Sequence, residues 1–228
     1  MFPIRCMLAL SALLLVPSAL AAPLVVVEAS GTDLAAGATI DDKTALSLPD
    51  GARLVLIGED GSQITLRGPF TGAPADAGTG ATQQLAGLLS ARGTDTTSLG
   101  AVRDGGPQAP LPEPWLVDPA ISGSACVRPG QEIVLWRADA AGPAGLTLMP
   151  ADRAWTANAE WPAGEQRLAL PELPIQDGGT LMFEIDGNAA AVTFHLLPPA
   201  VTAPAMTVGW LAAKQCDRQA RALAGAQG

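Results

Sequence analysis

Aspartate–glycine pairs recur along this chain and divide it into short segments. Both residues tolerate the positive φ angles of a tight turn, so each pair marks a place where the chain can reverse. The pairs are Asp50-Gly51, Asp60-Gly61, Asp104-Gly105, Asp177-Gly178 and Asp186-Gly187. The chain also holds 25 Gly and 20 Pro among its 228 residues, which disfavours long helices and favours short strands joined by turns.

Apolar residues alternate with other residues between these pairs, which is typical of strands with one buried face. Leu46–Leu48, Arg53–Ile57 and Gln63–Arg67 are predicted to form a meander turned at the first two pairs. Gly179–Ile185 and Ala189–Leu196 are predicted to form a hairpin turned at the last pair. Further strands are predicted at Val25–Glu28, Ile133–Arg137 and Leu168–Leu170. The predicted fold class is therefore mainly β.

Two segments show the 3.6-residue periodicity of amphipathic helices. The first spans Thr82 to Arg92, with leucines on one face and Thr82 as its cap. The second spans Thr207 to Ala224 and places Cys216 in a stripe of small and apolar residues. A neighbouring stripe on this helix is basic and consists of Lys214, Arg218 and Arg221. We interpret it as a solvated face that pairs with acidic residues elsewhere, with a docking surface for a partner as the alternative.

Residues 1–21 are typical of a secretory signal rather than of a folded segment. Arg5 precedes an apolar run from Met7 to Val16, and Pro17 ends the run. The residues Ala19-Leu20-Ala21 then supply the small side chains that a signal peptidase requires. The apolar run is far shorter than the ~20 residues that cross a bilayer. Cleavage is predicted between Ala21 and Ala22, which leaves a periplasmic or secreted protein without stable membrane insertion.

Removal of this leader also removes Cys6 and leaves two cysteines, Cys126 and Cys216. In an oxidising compartment such a pair is expected to form a disulfide. The alternative is a redox-active thiol, but neither cysteine belongs to a CxxC motif. The bridge would hold the second predicted helix against the rest of the protein.

A segment rich in Gly, Pro, Ser and Thr, residues 93–114, is predicted to be a linker. It separates a predicted β domain at residues 22–92 from a second domain at residues 115–228. The second domain has the short strands and turn signals of a small β-sandwich, followed by the C-terminal helix. Both remaining cysteines fall in the second domain.

Charge and aromatic content exclude nucleic acid as the expected partner. Asp and Glu number 22 against 13 Lys and Arg, for a net charge of −9, whereas binding to phosphate backbones requires clustered cations. Aromatic residues make up 4% of the chain and Tyr is absent, so stacking platforms for single strands are not expected.

No catalytic, cofactor-binding or metal-binding residues are predicted. The one histidine, His195, alternates with the apolar Phe194, so it is predicted to point from a strand into solvent. Paired acids occur at Asp41-Asp42 and Glu59-Asp60, but neighbours on a strand point to opposite faces. The pairs therefore lack the facing arrangement of glycosidase carboxylates.

The region from Gly31 to Pro69 contains, in order, a Gly-rich lead, G-x-x-I, L-x-L-x-D-G-x-x-L-x-L and a hairpin that ends in L-x-G-P. This order resembles the extracytoplasmic FecR-type domain, a small β-rich module. The resemblance covers only the N-terminal part of the chain and implies a non-enzymatic module of an envelope or secreted protein. The framework positions that it implies are Gly37, Ile40, Leu46, Leu48, Asp50, Gly51 and Leu54.

These observations predict a binding, scaffolding or signalling-accessory protein whose partner is another envelope or secreted protein. One alternative is a carbohydrate-binding module that uses Trp136, Trp155 and Trp161 of the second domain, because tryptophan serves both packing and sugar binding. Another is a carboxylate-dependent hydrolase that acts on envelope glycans.

Overall fold

The computed structural model describes residues 21–78, 81–87, 90, 109–170 and 173–226. Over these residues the protein is mainly β, with several sheets and two short helices near its C-terminus, which confirms the predicted fold class. None of the helices in this part of the chain has the length and apolar character that crossing a bilayer requires. Residues 1–20 lie outside the described part, so the leader and its cleavage stay predictions.

Strands and helices are numbered in chain order. The N-terminal strands are β1 Pro23–Ser30, β2 Thr39–Asp41, β3 Leu46–Leu48, β4 Arg53–Gly58, β5 Gln63–Arg67, β6 Phe70–Gly72 and β7 Thr82–Gln83, with a 3-10 helix at Pro74–Asp76. The later strands are β8 Leu116–Val117, β9 Gly123–Val127, β10 Ile133–Trp136, β11 Ala144–Pro150, β12 Ala157–Trp161, β13 Arg167–Leu170, β14 Thr180–Ile185 and β15 Asn188–Leu196. The helices are α1 Pro204–Ala213 and α2 Asp217–Gly225.

The first sheet, in the order β2-β1-β4-β5-β7, is buried on both faces at its centre. Two of its three inner strands, β1 and β4, carry the unbroken apolar runs Leu24–Val27 and Leu54–Ile57, and every residue of both runs is buried. Because successive side chains of a strand point to opposite faces, an unbroken run supplies two apolar faces at once. Two separate layers of the protein must therefore cover this sheet.

One covering layer is formed by other residues of the N-terminal region, and the other is formed by the C-terminal helices. Leu24, Leu54 and their partners on one face share a cluster with Leu48 of the two-stranded sheet β3–β6. The residues on the other face are Val25, Val27, Val55 and Ile57. They pack in one cluster with the buried side of α1 and α2 and with Cys126 of β9. The C-terminal helices are thus a structural layer of the N-terminal sheet.

The second β region is a sandwich that encloses its own core. One sheet has the order β13-β10-β8 and the other β12-β11-β14-β15-β9. Residues from all eight strands meet in one cluster, with Trp161, Phe183 and Phe194 fully buried at its centre. Two pairings, β8 with β10 and β9 with β15, are parallel, and the others are antiparallel.

The C-terminal segment forms two helices where the sequence predicted one. Helix α1 ends at Ala213 with Lys214 as its C-cap, and Gln215 adopts a left-handed conformation with φ 62°. The amide of Cys216 donates to the carbonyl of Leu211 at 2.8 Å, and that of Gln215 donates to the carbonyl of Ala212 at 3.0 Å. These two bonds form a Schellman motif, a helix end that normally has Gly or Asn at the left-handed position. Glutamine gives no such signal, so the break was missed.

Helix α1 approaches the first sheet through two glycines. A Cβ on Gly209 would lie 2.5 Å from the carbonyl oxygen of Gly61 and 2.7 Å from Ile57 Cδ1. Gly61 has φ +78°, and a Cβ there would collide with the carbonyl of Ala205. The β4–β5 turn and the helix therefore touch backbone to backbone, which only glycine permits.

Strand pairing differs from the predicted meander at one point. Strands β4 and β5 form the expected hairpin around Asp60-Gly61, and β14 and β15 form the one around Asp186-Gly187. Strand β3, however, pairs with β6 in a different sheet, so Asp50-Gly51 turns the chain between layers rather than within a hairpin. The local turn signal was correct, but it does not specify which strands become neighbours.

The remaining sequence predictions fall partly outside the described residues. Thr82 lies in β7, which pairs with β5, so it is not the predicted helix cap. Residues 85–87 are helical, while Leu88 and Leu89 lie outside the described part. Residues 93–108 of the predicted linker also lie outside it. At the end of that segment Leu111 is buried against Leu116 and Trp136.

Candidate binding site

The tryptophans that the sequence grouped as a sugar-binding shelf are separated in the structure. Trp136 and Trp161 are 5% and 0% exposed and belong to hydrophobic clusters. Trp155 is half-buried and lines a cavity of about 450 Å³ at one end of the sandwich. Of the three tryptophans, only Trp155 lines this cavity.

Two adjoining cavities open at this end of the sandwich. The first, which we call the Trp155 cavity, lies between the turn after β11 and the segment that leads into β14. The second has about 460 Å³ and lies between the β9–β10 loop and the same segment. Ile175 lines both cavities. We call these two cavities, which share Ile175 as a lining residue, the Ile175 groove; its walls are partly apolar and partly polar.

The wall that carries Trp155 is built by a tight turn. The amide of Arg153 donates to the carbonyl of Pro150 at 2.9 Å, and the amide of Ala154 donates to Asp152 Oδ1 at 3.0 Å. Arg153 has φ 57°, a left-handed conformation that is uncommon for a side chain of this kind. Such strain persists only where surrounding contacts hold it, and it is often found at functional sites. Here it turns the chain so that Trp155 packs along the end of the sandwich.

The opposite wall, residues 173–179, is fixed by main-chain hydrogen bonds. The amide of Ile175 donates to the carbonyl of Leu173 at 2.8 Å, and that of Gly179 donates to the carbonyl of Gln176 at 2.9 Å. Asp177 Oδ1 accepts a bond from the amide of Leu196 in β15 at 2.8 Å. The turn residues Asp177 and Gly178 were predicted, but Ile175 and Gln176 were not, because they belong to no periodic segment.

His195 lies where the sandwich meets α1. It points away from Phe194, as the alternation predicts, but its side chain is only 17% exposed rather than solvated. Its Nδ1 is 3.9 Å from Asp177 Oδ1 and makes no hydrogen bond within the described structure. Burial lowers the pKa of His195 below its ordinary value, the Lys214 ammonium lowers it further, and the Asp177 carboxylate opposes both. The imidazole is therefore neutral at neutral pH.

The two cysteines stand at disulfide distance and connect α2 to the sandwich, as expected from their pairing. Their Cα atoms are 6.0 Å apart across a sequence separation of 90. Gln219 of α2 adds a second link, because its side-chain amide bonds both main-chain groups of Cys126 at 2.7 and 2.8 Å. Gln219 thus bonds the main chain of the edge strand β9 in the way that a neighbouring strand would.

One residue of the predicted basic stripe, Arg218, packs against the sandwich. Arg218 Nη1 donates to Asp118 Oδ2 at 2.9 Å, and its guanidinium lies 5.8 Å from the ring centre of Trp136. The pairing with an acidic residue agrees with the first interpretation of this stripe, but the Arg218 side chain is 17% exposed and is therefore not part of a solvated face. Arg218 therefore helps to hold α2 against the sandwich.

One carboxylate of each acidic pair accepts hydrogen bonds within the protein. Asp60 Oδ1 accepts bonds from the amide and the hydroxyl of Ser62 at 2.9 and 2.7 Å. Asp42 Oδ1 accepts a bond from the amide of Ala22 at 3.0 Å. Over the described ranges, no group of three or more His, Cys, Asp or Glu stands close enough to hold a metal ion.

Comparison with known proteins gives no further assignment of this site. No family model matches the chain, and none of the curated proteins matches it.

Proposed function

We propose that this protein is a non-enzymatic binding protein of the cell envelope, periplasmic or secreted, that engages its partner through the Ile175 groove. The single observation that carries the proposal is the pair of adjoining cavities of about 450 and 460 Å³ at one end of the sandwich. Concave sites with apolar walls and a few polar groups are the usual form of binding sites. The groove combines Trp155, Leu173 and Ile175 with the polar Asp152 and Gln176.

The rest of the fold supports a scaffold role. Helices α1 and α2 cover one face of the first sheet and are tied to the sandwich by Gln219, by Arg218 and by the cysteine pair. A groove on a rigid frame loses less conformational entropy when it binds a partner. The first sheet, whose sequence resembles FecR-type domains, then serves as the framework of a signalling-accessory protein.

The cysteine pair and the predicted leader support this compartment. Disulfides persist in oxidising compartments, and residues 1–21 read as an export signal. Mass spectrometry of the protein from the native host should find an N-terminus at Ala22. A mature pool that retains Met1 would contradict this assignment.

The groove is tested by binding of the purified mature protein to fractionated envelope extract. Ile175→Arg places a charge at the residue that both cavities share, so retention of the partner should fall at least about tenfold. Ser47→Arg, at an exposed position on β3 that lines neither cavity, is the matched control and should bind normally. Equal retention by both variants would refute the groove as the binding surface.

A further inference from the structure

The Trp155 cavity has the features of a site for a small polar ligand rather than of a simple packing defect. Its volume of about 450 Å³ lies within the range of roughly 300–1,000 Å³ that is usual for such sites. Trp155 forms part of its wall, and Ile175 and Leu181 add apolar surface. The π-face of an indole is electron-rich, so it attracts the C–H groups on the face of a sugar ring.

The polar side chains of the cavity offer both donors and acceptors. Gln176 is exposed, and its amide can donate and accept. Asp152 uses Oδ1 within its own turn, which leaves Oδ2 as an acceptor at the rim. Thr180 Oγ1 pairs with Thr193 Oγ1 at 2.9 Å and retains a lone pair. A ligand hydroxyl also donates and accepts, so it can pair with both the N–H and the C=O of the Gln176 amide, whereas an ammonium group only donates and can pair with the C=O alone.

The charge of the cavity selects against anions. Asp152 is the one ionisable residue among the lining side chains in the described structure. The whole chain is also acidic, with a net charge of −9. An anionic ligand would therefore meet a like charge at the rim and an unfavourable field around it, while a neutral ligand would not.

From these three observations we propose that the Trp155 cavity binds a neutral saccharide, stacked on Trp155 and hydrogen-bonded by Asp152 and Gln176. This proposal rests on the proposed function and names the ligand class of one half of the Ile175 groove. Of the three tryptophans of the sandwich, it assigns ligand binding to Trp155 and not to Trp136 or Trp161, whose buried rings cannot reach a ligand.

The test is calorimetric titration of the mature protein with neutral, anionic and cationic probes. Maltotriose, cellotriose and N,N′,N″-triacetylchitotriose are the neutral arms, trigalacturonate is the anionic arm, and spermidine and a proline-rich peptide are the remaining arms. We expect a neutral trisaccharide to bind, and Trp155→Ala to weaken that binding at least about tenfold. Trp155→Phe should restore most of it, because a phenyl ring keeps a stacking face.

Two further variants separate binding from folding. Trp115→Ala removes another half-buried tryptophan, which lines neither cavity although its partner Arg128 lines the second one, and should leave saccharide binding in the Trp155 cavity unchanged. Gln176→Ala alters an exposed side chain and should weaken binding without changing the thermal midpoint, which keeps the test valid if Trp155→Ala does not fold.

Binding of none of the neutral saccharides, or of the anionic, cationic or peptide probe alone, would overturn the proposal. Saccharide binding that Trp155→Ala leaves intact would overturn it as well. If saccharides fail while Ile175→Arg still abolishes partner retention, the ligand class is wrong and the proposed binding function stands. If partner retention is also insensitive to Ile175→Arg, both are wrong.

Discussion

The first sheet and the sandwich bury their apolar side chains in different ways. The sandwich folds two sheets against each other, so strands from one continuous stretch of chain enclose its core. The first sheet has apolar residues on both faces, and one face is covered by helices from the other end of the chain. We therefore expect the sandwich to retain its core without the tail and the first sheet to lose part of its own.

The largest effect on this comparison is expected from the cysteines. Cys126→Ala and Cys216→Ala should each lower the free energy of unfolding by about 2–5 kcal/mol, because the bridge closes a long loop. The double variant should match either single one, since both remove the same link. Hydrogen exchange should show β1 and β4 losing more protection than β11 and β14. An equal loss of protection in the first sheet and in the sandwich would contradict this difference between the two regions. Two reactive thiols in the unfolded, non-reduced protein would show that no bridge exists.

A smaller and more local effect is expected at Gly209. Gly209→Ala forces a Cβ to within 2.5 Å of the Gly61 carbonyl, and overpacking of this kind costs about 1–3 kcal/mol. The matched control is Gly225→Ala in α2, where a Cβ meets nothing within 4 Å and helix propensity improves. Urea denaturation measures both. A stabilising Gly209→Ala would mean that α1 does not press against the β4–β5 turn.

The junction between the regions should respond to acid through His195. Its pKa is lowered in the folded state, so the unfolded chain binds more protons below about pH 6.5 and stability falls as the pH falls through this window. Above that window the contribution is fully present. His195→Gln should therefore lose less stability than the wild type between about pH 7.5 and about pH 5. If the free energy of unfolding depended on pH identically in the two proteins, protonation of His195 would not be what destabilises the junction in acid.

The smallest effect is expected at the β4–β5 turn itself. Asp60→Asn should change stability by no more than about 0.5 kcal/mol, because asparagine suits the same turn and keeps an acceptor for Ser62. Asp60→Ala removes that acceptor and should cost about 0.5–1.5 kcal/mol. Both are measured by thermal denaturation with and without calcium. Calcium-dependent stability that Asp60→Asn abolishes would identify a ligand site in place of a turn.

The candidate site was only partly accessible from the sequence. The sequence offers Trp155 as a sugar-binding residue together with Trp136 and Trp161. Nothing in the spacing of the three residues distinguishes a ring that lines a cavity from a ring in a core. Ile175 and Gln176 carried no signal, because the walls of the Ile175 groove come from separate segments that meet only in the folded protein. The cysteine pairing was predictable because two thiols allow one connectivity.

Features that depend on near neighbours along the chain can be predicted from the sequence. Asp-Gly turns, period-two strands and the buried stripe of the tail follow from local sterics and from the alternation of side chains. Three features are seen only in the folded protein: β3 pairs with β6, Gln215 divides the tail into two helices, and those helices cover Val55 and Ile57. The unbroken run Leu54–Ile57 shows that a second covering layer is needed. Which segment supplies that layer depends on contacts between distant parts of the chain, and no local pattern records them.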